Sequence, residues 1–243
     1  MDISKIKRII EDSDNIVFFG GAGVSTESNI PDFRSATGLY NSKSKSTYSP
    51  EEILSHDFFI SHTKEFYDFY KSKMIYRDAK PNKAHLALAK LEASGKLKAV
   101  ITQNIDGLHQ MAGSKKVLEL HGSIHRNYCM KCSSFFDLDY VINSEGIPVC
   151  DKCEGIVKPD VVLYQENLDS RVIDEAVKWI FSSDVFIIGG TSLTVYPAAG
   201  LVNYYRGSKL ILINRTKTAF DNKANYVHFG SIGEFLSQVV DLS

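Results

Sequence analysis

Cysteine is scarce in this chain, four in 243 residues, and all four lie between Cys129 and Cys153. Proline is sparse too, at six, and there is a single tryptophan. No apolar run approaches the roughly 18 residues that a membrane span needs. The opening stretch, MDISKIKRIIEDSDN, is amphipathic and has no apolar core of a secretory signal, so a reducing, cytoplasmic setting is expected. Charge of one sign is lacking as well: 28 basic against 29 acidic residues give a net −1, which argues against a protein built to coat nucleic acid. Hydrophobic residues at 44% and charged residues at 23% exclude a disordered chain and supply a real core. The length suits one large domain, or a domain with a smaller insert.

What cysteine there is has a pattern. Cys129 and Cys132 form one C-x-x-C pair, and Cys150 and Cys153 another. Each such turn brings two thiolates together, and two turns complete a tetrahedral sulfur site for zinc. In a reducing compartment this reading outweighs two disulfides or four buried thiols. With four protein ligands no position stays open to water, so the metal is expected to be structural.

Short apolar runs alternate with helical patterns. Ile3, Ile6, Ile9 and Ile10 share a helical face. Strands are expected at Ile16–Phe19, Ala99–Thr102, Val185–Ile188, Leu210–Ile213 and Tyr226–Phe229. Residues 51–75 look helical and aromatic; Asn82 caps a helix running to about Ser94; Asp169 or Ser170 caps another; a last helix spans about Ser231 to Val240. Residues 34–50, rich in Ser, Thr, Lys and Gly, read as a mobile loop. Uniformly apolar strands between helices indicate an α/β chain with a Rossmann-like parallel sheet covered on both faces, interrupted by the cysteine segment.

Polar and glycine clusters follow four of these strands: GGAGVS, QNID, GGTS and IN. Ligands of open α/β sheets bind at that edge. Gly21-Ala22-Gly23 resembles a dinucleotide fingerprint, whose glycines let backbone N–H groups approach a pyrophosphate. Thr26 occupies the third glycine position, and the acidic residue expected some 20 positions on is missing, so a hydride-transfer dehydrogenase is poorly supported.

Gly21 to Arg34 reads GAGVSTESNIPDFR, and this resembles the signature of the sirtuins, NAD-consuming protein deacylases. QNID at 103–106, HG at 121–122, the four cysteines, KPDVVLYQE at 158–166 and GTSLTVYP at 190–197 are similar to the remaining signatures in order. The likeness runs from about Ile6 to Val240, and the compact length looks like a bacterial member. It implies a Rossmann-like NAD domain over 1–33, 81–122 and 167–243, a cofactor loop and helical module over 34–80, and a zinc ribbon with a substrate-binding connection over 123–166.

The resemblance also implies roles. Gly21, Ala22 and Gly23 would lie at the NAD phosphates with Thr26 nearby, Phe33 and Arg34 over the reacting ribose, and Gln103 on that ribose. Asn104, Ile105 and Asp106 would line the nicotinamide pocket, Asn104 with a catalytic part. Gly190, Thr191, Ser192, Asn214 and Ile232 would serve the phosphate and adenosine side. Val162 and Tyr164 would line the acyl-lysine tunnel. A lone histidine is usually structural, but His121 is the one histidine inside a matched signature. Its ordinary pKa near 6.5 suits a general base for a ribose hydroxyl. The expected partners are acetylated-lysine proteins, not nucleic acid or membrane. The expected products are nicotinamide, free lysine and acylated ADP-ribose.

Three rivals stay open: a sirtuin-type protein ADP-ribosyltransferase, a zinc-ribbon nucleic-acid binder, and an NAD sensor without turnover. Four basic against six acidic residues across 121–160 disfavour the second. Three positions depart from the family pattern. Asn29 replaces a glycine and tolerates a left-handed backbone. Lys158 replaces an arginine and lacks its planar fork. Gln165 replaces the glycine of the substrate-pairing segment. Relatives specialised for succinyl- or malonyl-lysine carry a Tyr-x-x-Arg pair; here Tyr67 is matched, but Tyr70 stands where the arginine would be, and a shifted register pairs Tyr70 with Lys73, a point charge without the planar fork, so neutral acyl groups, acetyl first, are expected.

Overall fold

The computed structural model describes residues 2–33, 38–39 and 47–241. Six parallel strands form the main sheet: β1 (Ile16–Gly20), β2 (Leu97–Thr102), β3 (Val117–Glu119), β7 (Val185–Gly189), β8 (Leu210–Asn214) and β9 (Tyr226–Phe229), in the spatial order β3-β2-β1-β7-β8-β9. Three antiparallel strands, β4 (Gly122–Cys129), β5 (Phe135–Phe136) and β6 (Val157–Val161), make a small second sheet in the order β5-β4-β6.

The central strands β1, β7 and β8 are buried on both faces because they are apolar at nearly every position. Ile16, Phe18 and Val100 point to the face covered by α1 (Ile3–Glu11), α5 (Lys83–Ala93) and α9 (Ile232–Val239). Their neighbours Val17, Phe19 and Ile101 point to the face covered by α8 (Ser170–Ser182), the period-two alternation of a strand. Asn82 and Asp169 cap α5 and α8, and Ser231 caps α9. A third core joins Phe59, Phe66, Tyr67 and Tyr70 to Val157, Val161 and Leu163 of the small sheet.

The expected helical run over 51–75 is three helices, α2 (Pro50–Ile53), α3 (His56–Ser61) and α4 (Thr63–Lys73). Ser49 opens the run by capping α2; Ser55 caps α3 and makes the first corner, and His62, with no side-chain cap bond, makes the second between α3 and α4. Strand β3 was not expected: three residues beside a turn carry too little pattern to read. Of the stretch 34–50, only 38–39 and 47–50 fall within the described residues. Two further short helices are α6 (Leu108–Met111) and α7 (Leu138–Asn143). No helix among the described residues is long and apolar enough to cross a membrane.

Candidate active site

The chain runs outward from β1 to β2 and β3, then crosses back to β7 on the other side of β1. Loops leaving β1 and β7 therefore diverge and open a crevice at their carboxyl ends. Here the two backbones touch. The Gly23 N–H donates to the Gly190 carbonyl at 2.8 Å, and a Cβ on Gly23 would stand 2.8 Å from the Gly190 Cα. Gly190 has φ +59°, and a Cβ there would lie 2.7 Å from the Gly23 carbonyl carbon. Only glycine fits either position, so the cradle is open to a phosphate. Instead of the long helix of a dinucleotide fingerprint, two 3₁₀ turns follow, Ala22–Val24 and Thr26–Ser28. Thr26 Oγ1 donates to the Gly23 carbonyl at 3.0 Å. Asn29 ends the second turn at φ +62°, the left-handed conformation for which the sequence suited it.

A hydrogen-bonded frame ties the signature loops together. Gln103 follows β2; its N–H donates to the Gly20 carbonyl at 3.0 Å, and its side-chain amide donates to Thr191 Oγ1 at 3.0 Å. Ser25 is the hub beside it. Its hydroxyl donates to Asp106 Oδ2 at 2.6 Å and accepts from Asn104 Nδ2 at 3.0 Å. Asp106 Oδ1 accepts the Leu108 N–H at 2.9 Å. Burial pushes the Asp106 carboxyl up, against these two bonds, which favour the carboxylate. The role of Ser25 was not read from the sequence, although it stands inside the GAGVS run; a serine one turn past a glycine cradle, facing a separate QNID loop, was the available signal.

His121 lies two residues past the end of β3, just before β4. Its Nδ1 lies 3.0 Å from the Gln103 carbonyl, which can only accept. Nδ1 therefore carries the proton, and the neutral ring presents a bare Nε2. Burial lowers the pKa of this histidine, and the Gln103 bond opposes the shift only in part. The His121 carbonyl accepts the Val162 N–H at 3.0 Å, which seats the segment after β6 beside it. Tyr164 is held on its other edge: its N–H donates to the Leu54 carbonyl and its carbonyl accepts from His56 N–H, both at 2.9 Å. Glu166 locks this turn. Against the cost of burial, the Leu163 N–H, His56 and Lys158 keep its carboxyl below the usual range. Lys158 also donates to the carbonyls of Pro159 and Val161, contacts that a point charge satisfies without a planar fork. Gln165 takes φ +75°, a glycine-like backbone, and its side-chain amide is fixed on Asp57 by two bonds of 3.0 Å.

The remaining candidates lie further along the crevice. Phe33 and Ile105 are half-buried against the third core. Ile232 opens α9 and packs against Gly189. Asn214 ends β8 with its amide on the Thr216 carbonyl at 3.0 Å, and exposed Ser192 meets Thr194 Oγ1 at 2.8 Å. Arg34 lies outside the described residues.

The four cysteine sulfurs all lie within 4.8 Å of one another, Cys129 to Cys153 at 3.4 Å and Cys132 to Cys150 at 3.7 Å. A zinc ion with bonds of about 2.3 Å spaces its four sulfurs about 3.8 Å apart, so the set fits a closed tetrahedral site. The Lys131, Cys132 and Lys152 N–H groups point at Cys129 and Cys150 sulfurs at 3.4–3.5 Å, which favours the thiolate form a metal needs.

A parallel sheet with a glycine cradle at its switch point, joined to a four-cysteine ribbon through a histidine loop, defines a nucleotide-consuming enzyme with a structural zinc module. The chain belongs to the Sir2 family, which it matches over residues 21–197. It is 63% identical to a Clostridium acetobutylicum protein named NAD-dependent protein deacetylase, over 98% of both chains. A Clostridium perfringens protein of the same name is 61% identical, again over 98% of both. Among solved structures, a Sir2–p53 peptide–NAD+ complex superposes with a TM-score of 0.86 at 39% identity, covering 98% of this chain and 97% of that one. A Sir2 enzyme solved in a study of mechanism and regulation gives 0.88 at 41% identity, over 98% and 96%.

Proposed function

We propose that this chain is an NAD-dependent protein lysine deacetylase, transferring the acyl group from lysine to ADP-ribose with release of nicotinamide. The observation that carries the reading is the His121 ring, fixed through Nδ1 on Gln103 with Nε2 free, in the crevice where the glycine cradle and the QNID loop meet.

NAD, when bound, supplies a sugar carbon carrying a cationic leaving group. The chain's own residues do the rest. The backbone at Gly21, Ala22 and Gly23, with Thr26 and Gly190, holds phosphate. Thr191, Ser192, Asn214 and Ile232 hold the adenosine side. Asn104, Ile105 and Asp106 orient the carboxamide, with Ser25 fixing both polar side chains. Phe33 and Ile105 exclude water from the ribose, so that preorganised dipoles act at low dielectric; Arg34 belongs with them. Gln103 orients the ribose. His121 takes the proton of a ribose hydroxyl at Nε2. Val162 and Tyr164 receive the acyl-lysine of a protein partner. Cys129, Cys132, Cys150 and Cys153 hold zinc with no open position, so the metal shapes the fold and does no chemistry.

An ADP-ribosyltransferase needs no base for the ribose hydroxyl, and the bare Nε2 supports deacylation over it. Arg126 is held by Glu119 at 2.6 Å and Asp160 at 2.8 Å, and Lys158 by Glu166, which supports reading the ribbon as a framework and not a nucleic-acid surface. The division into 1–33, 81–122 and 167–243, 34–80, and 123–166, and a cytoplasmic setting, belong to the same proposal. The test is incubation with NAD and an acetyl-lysine peptide, with products identified by mass spectrometry. Free lysine with acetylated ADP-ribose is expected; ADP-ribosylated protein with the acetyl group intact would overturn the assignment.

A further inference from the structure

The nicotinamide loop is held from two sides, and one of them lies outside every matched signature. Ser25 fixes the side chains of Asn104 and Asp106 from the β1 side. The backbone of the same loop is fixed by β4, the strand that leads into the cysteine ribbon. The Ile124 N–H donates to the Ile105 carbonyl at 3.0 Å. The next carbonyl, that of Asp106, lies 3.1 Å from His125 Nε2, which must donate to it. The ring then packs on Gly107, whose φ is +73°; a Cβ there would stand 2.7 Å from His125 Nε2.

These contacts matter because a glycine follows Asp106. Gly107 leaves the Asp106–Gly107 peptide plane free to rotate unless something holds its carbonyl. Turning about the bonds on either side of that plane would swing the Leu108 N–H away from the Asp106 carboxylate and leave the carboxylate held by Ser25 alone. We propose that His125 is a positioning residue: it holds the Asp106 carbonyl so that the carboxylate faces the nicotinamide carboxamide, and through it the zinc ribbon sets the geometry of the cofactor pocket. The imidazole is exposed, on a cleft of about 320 Å³ that Asp106, Arg77 and Asp139 also line, so water can partly replace the bond. The inference rests on the deacetylase reading, since it needs Asp106 at the nicotinamide.

The test compares wild type with His125→Phe, which keeps a ring over Gly107 but has no donor, and His125→Gln, which keeps a donor. Each is assayed for KM of NAD, KM of the acetyl peptide, inhibition by nicotinamide, zinc content and Tm. Loss of one hydrogen bond of ordinary strength predicts a rise of about 2- to 10-fold in KM for NAD and in the nicotinamide inhibition constant for His125→Phe. The peptide KM and zinc content stay at wild-type values, and His125→Gln recovers at least half of the loss. An unchanged NAD KM in His125→Phe overturns the inference, as does an equal rise in both KM values. Wild-type enzyme that consumes no NAD with the acetyl peptide overturns instead the deacetylase reading on which it rests.

Discussion

At the residue scale, the chemistry turns on which nitrogen of His121 is free. The Gln103 carbonyl fixes the proton on Nδ1, and burial lowers the pKa, so the ring stays a neutral base to lower pH than an ordinary imidazole. A base acts only when deprotonated, so the acid limb of kcat/KM is expected at lower pH than an ordinary imidazole would give. His121→Ala is expected to lose more than about 100-fold in kcat while ADP-ribose binding is kept, measured by steady-state kinetics and calorimetry. Acyl choice is set at the same scale. Tyr67 and Tyr70 are fully buried, and the Tyr67 hydroxyl donates to the Val157 carbonyl, so the first member of the succinyl-binding pair is already engaged and the second is a phenol, not a guanidinium. A distal carboxylate entering this module lacks its charge-assisted partner. The expected preference is about 10- to 150-fold for acetyl- over succinyl-lysine in kcat/KM on matched peptides; equal efficiency would refute it.

At the element scale, α5 and α6 meet through two buried imidazoles. The His85 and His109 rings lie 4.7 Å apart, and neither His109 nitrogen nor His85 Nε2 has a hydrogen-bond partner among the described residues. Burial lowers His85 to about 4; burial, with His85 close by, lowers His109 to about 3. In the unfolded chain both titrate near 6.5. Between 6.5 and about 4 the unfolded chain therefore binds protons that the native fold refuses. Stability is full above 6.5 and declines as pH falls, by up to about 1.4 kcal/mol per pH unit per histidine. Tm followed by circular dichroism from pH 7.5 to 4.5 should drop, and His109→Met should fall less steeply over the same window. These helices also show what was legible in the sequence. Asn82 was readable as a cap, and the cap of α8 as Asp169 or Ser170, because a short polar side chain before an apolar period has one common use; Ser231 was read only as the approximate start of the last helix. The strands β1, β2, β7 and β8 were readable because each is largely apolar and ends in a polar or glycine cluster. Strand β3, the corners between α2, α3 and α4, and the Ser25 and His125 contacts were not, because each depends on which distant backbone group lies opposite, and no local period records that.

At the scale of the whole molecule, the two halves of the site belong to different cores. The phosphate cradle is built wholly on the main sheet, through Gly23, Gly190 and the Thr191 that Gln103 holds. The acyl-lysine side is built on the third core, through Val162 on His121, Tyr164 on Leu54 and His56, and the Glu166 lock. That core includes Cys129 and Cys150, so the metal helps close it. Removing zinc should therefore separate two functions that a single core would lose together. A strong thiol-competing chelator is expected to abolish deacetylation and acetyl-peptide binding, because the β4–β6 pairing that seats Val162 is rooted in the cysteine turns. ADP-ribose binding should survive, weakened by about tenfold or less, because among the described residues the ribbon side reaches the cofactor side through the β4 contacts to the Ile105 and Asp106 carbonyls and the packing of Phe33 and Ile105, while the phosphate cradle stands on the main sheet. Titration calorimetry with ADP-ribose and with acetyl peptide, before and after zinc removal, reads both halves. Equal loss of the two affinities would mean that the main sheet does not stand without the ribbon, and would remove the two-core account of the site.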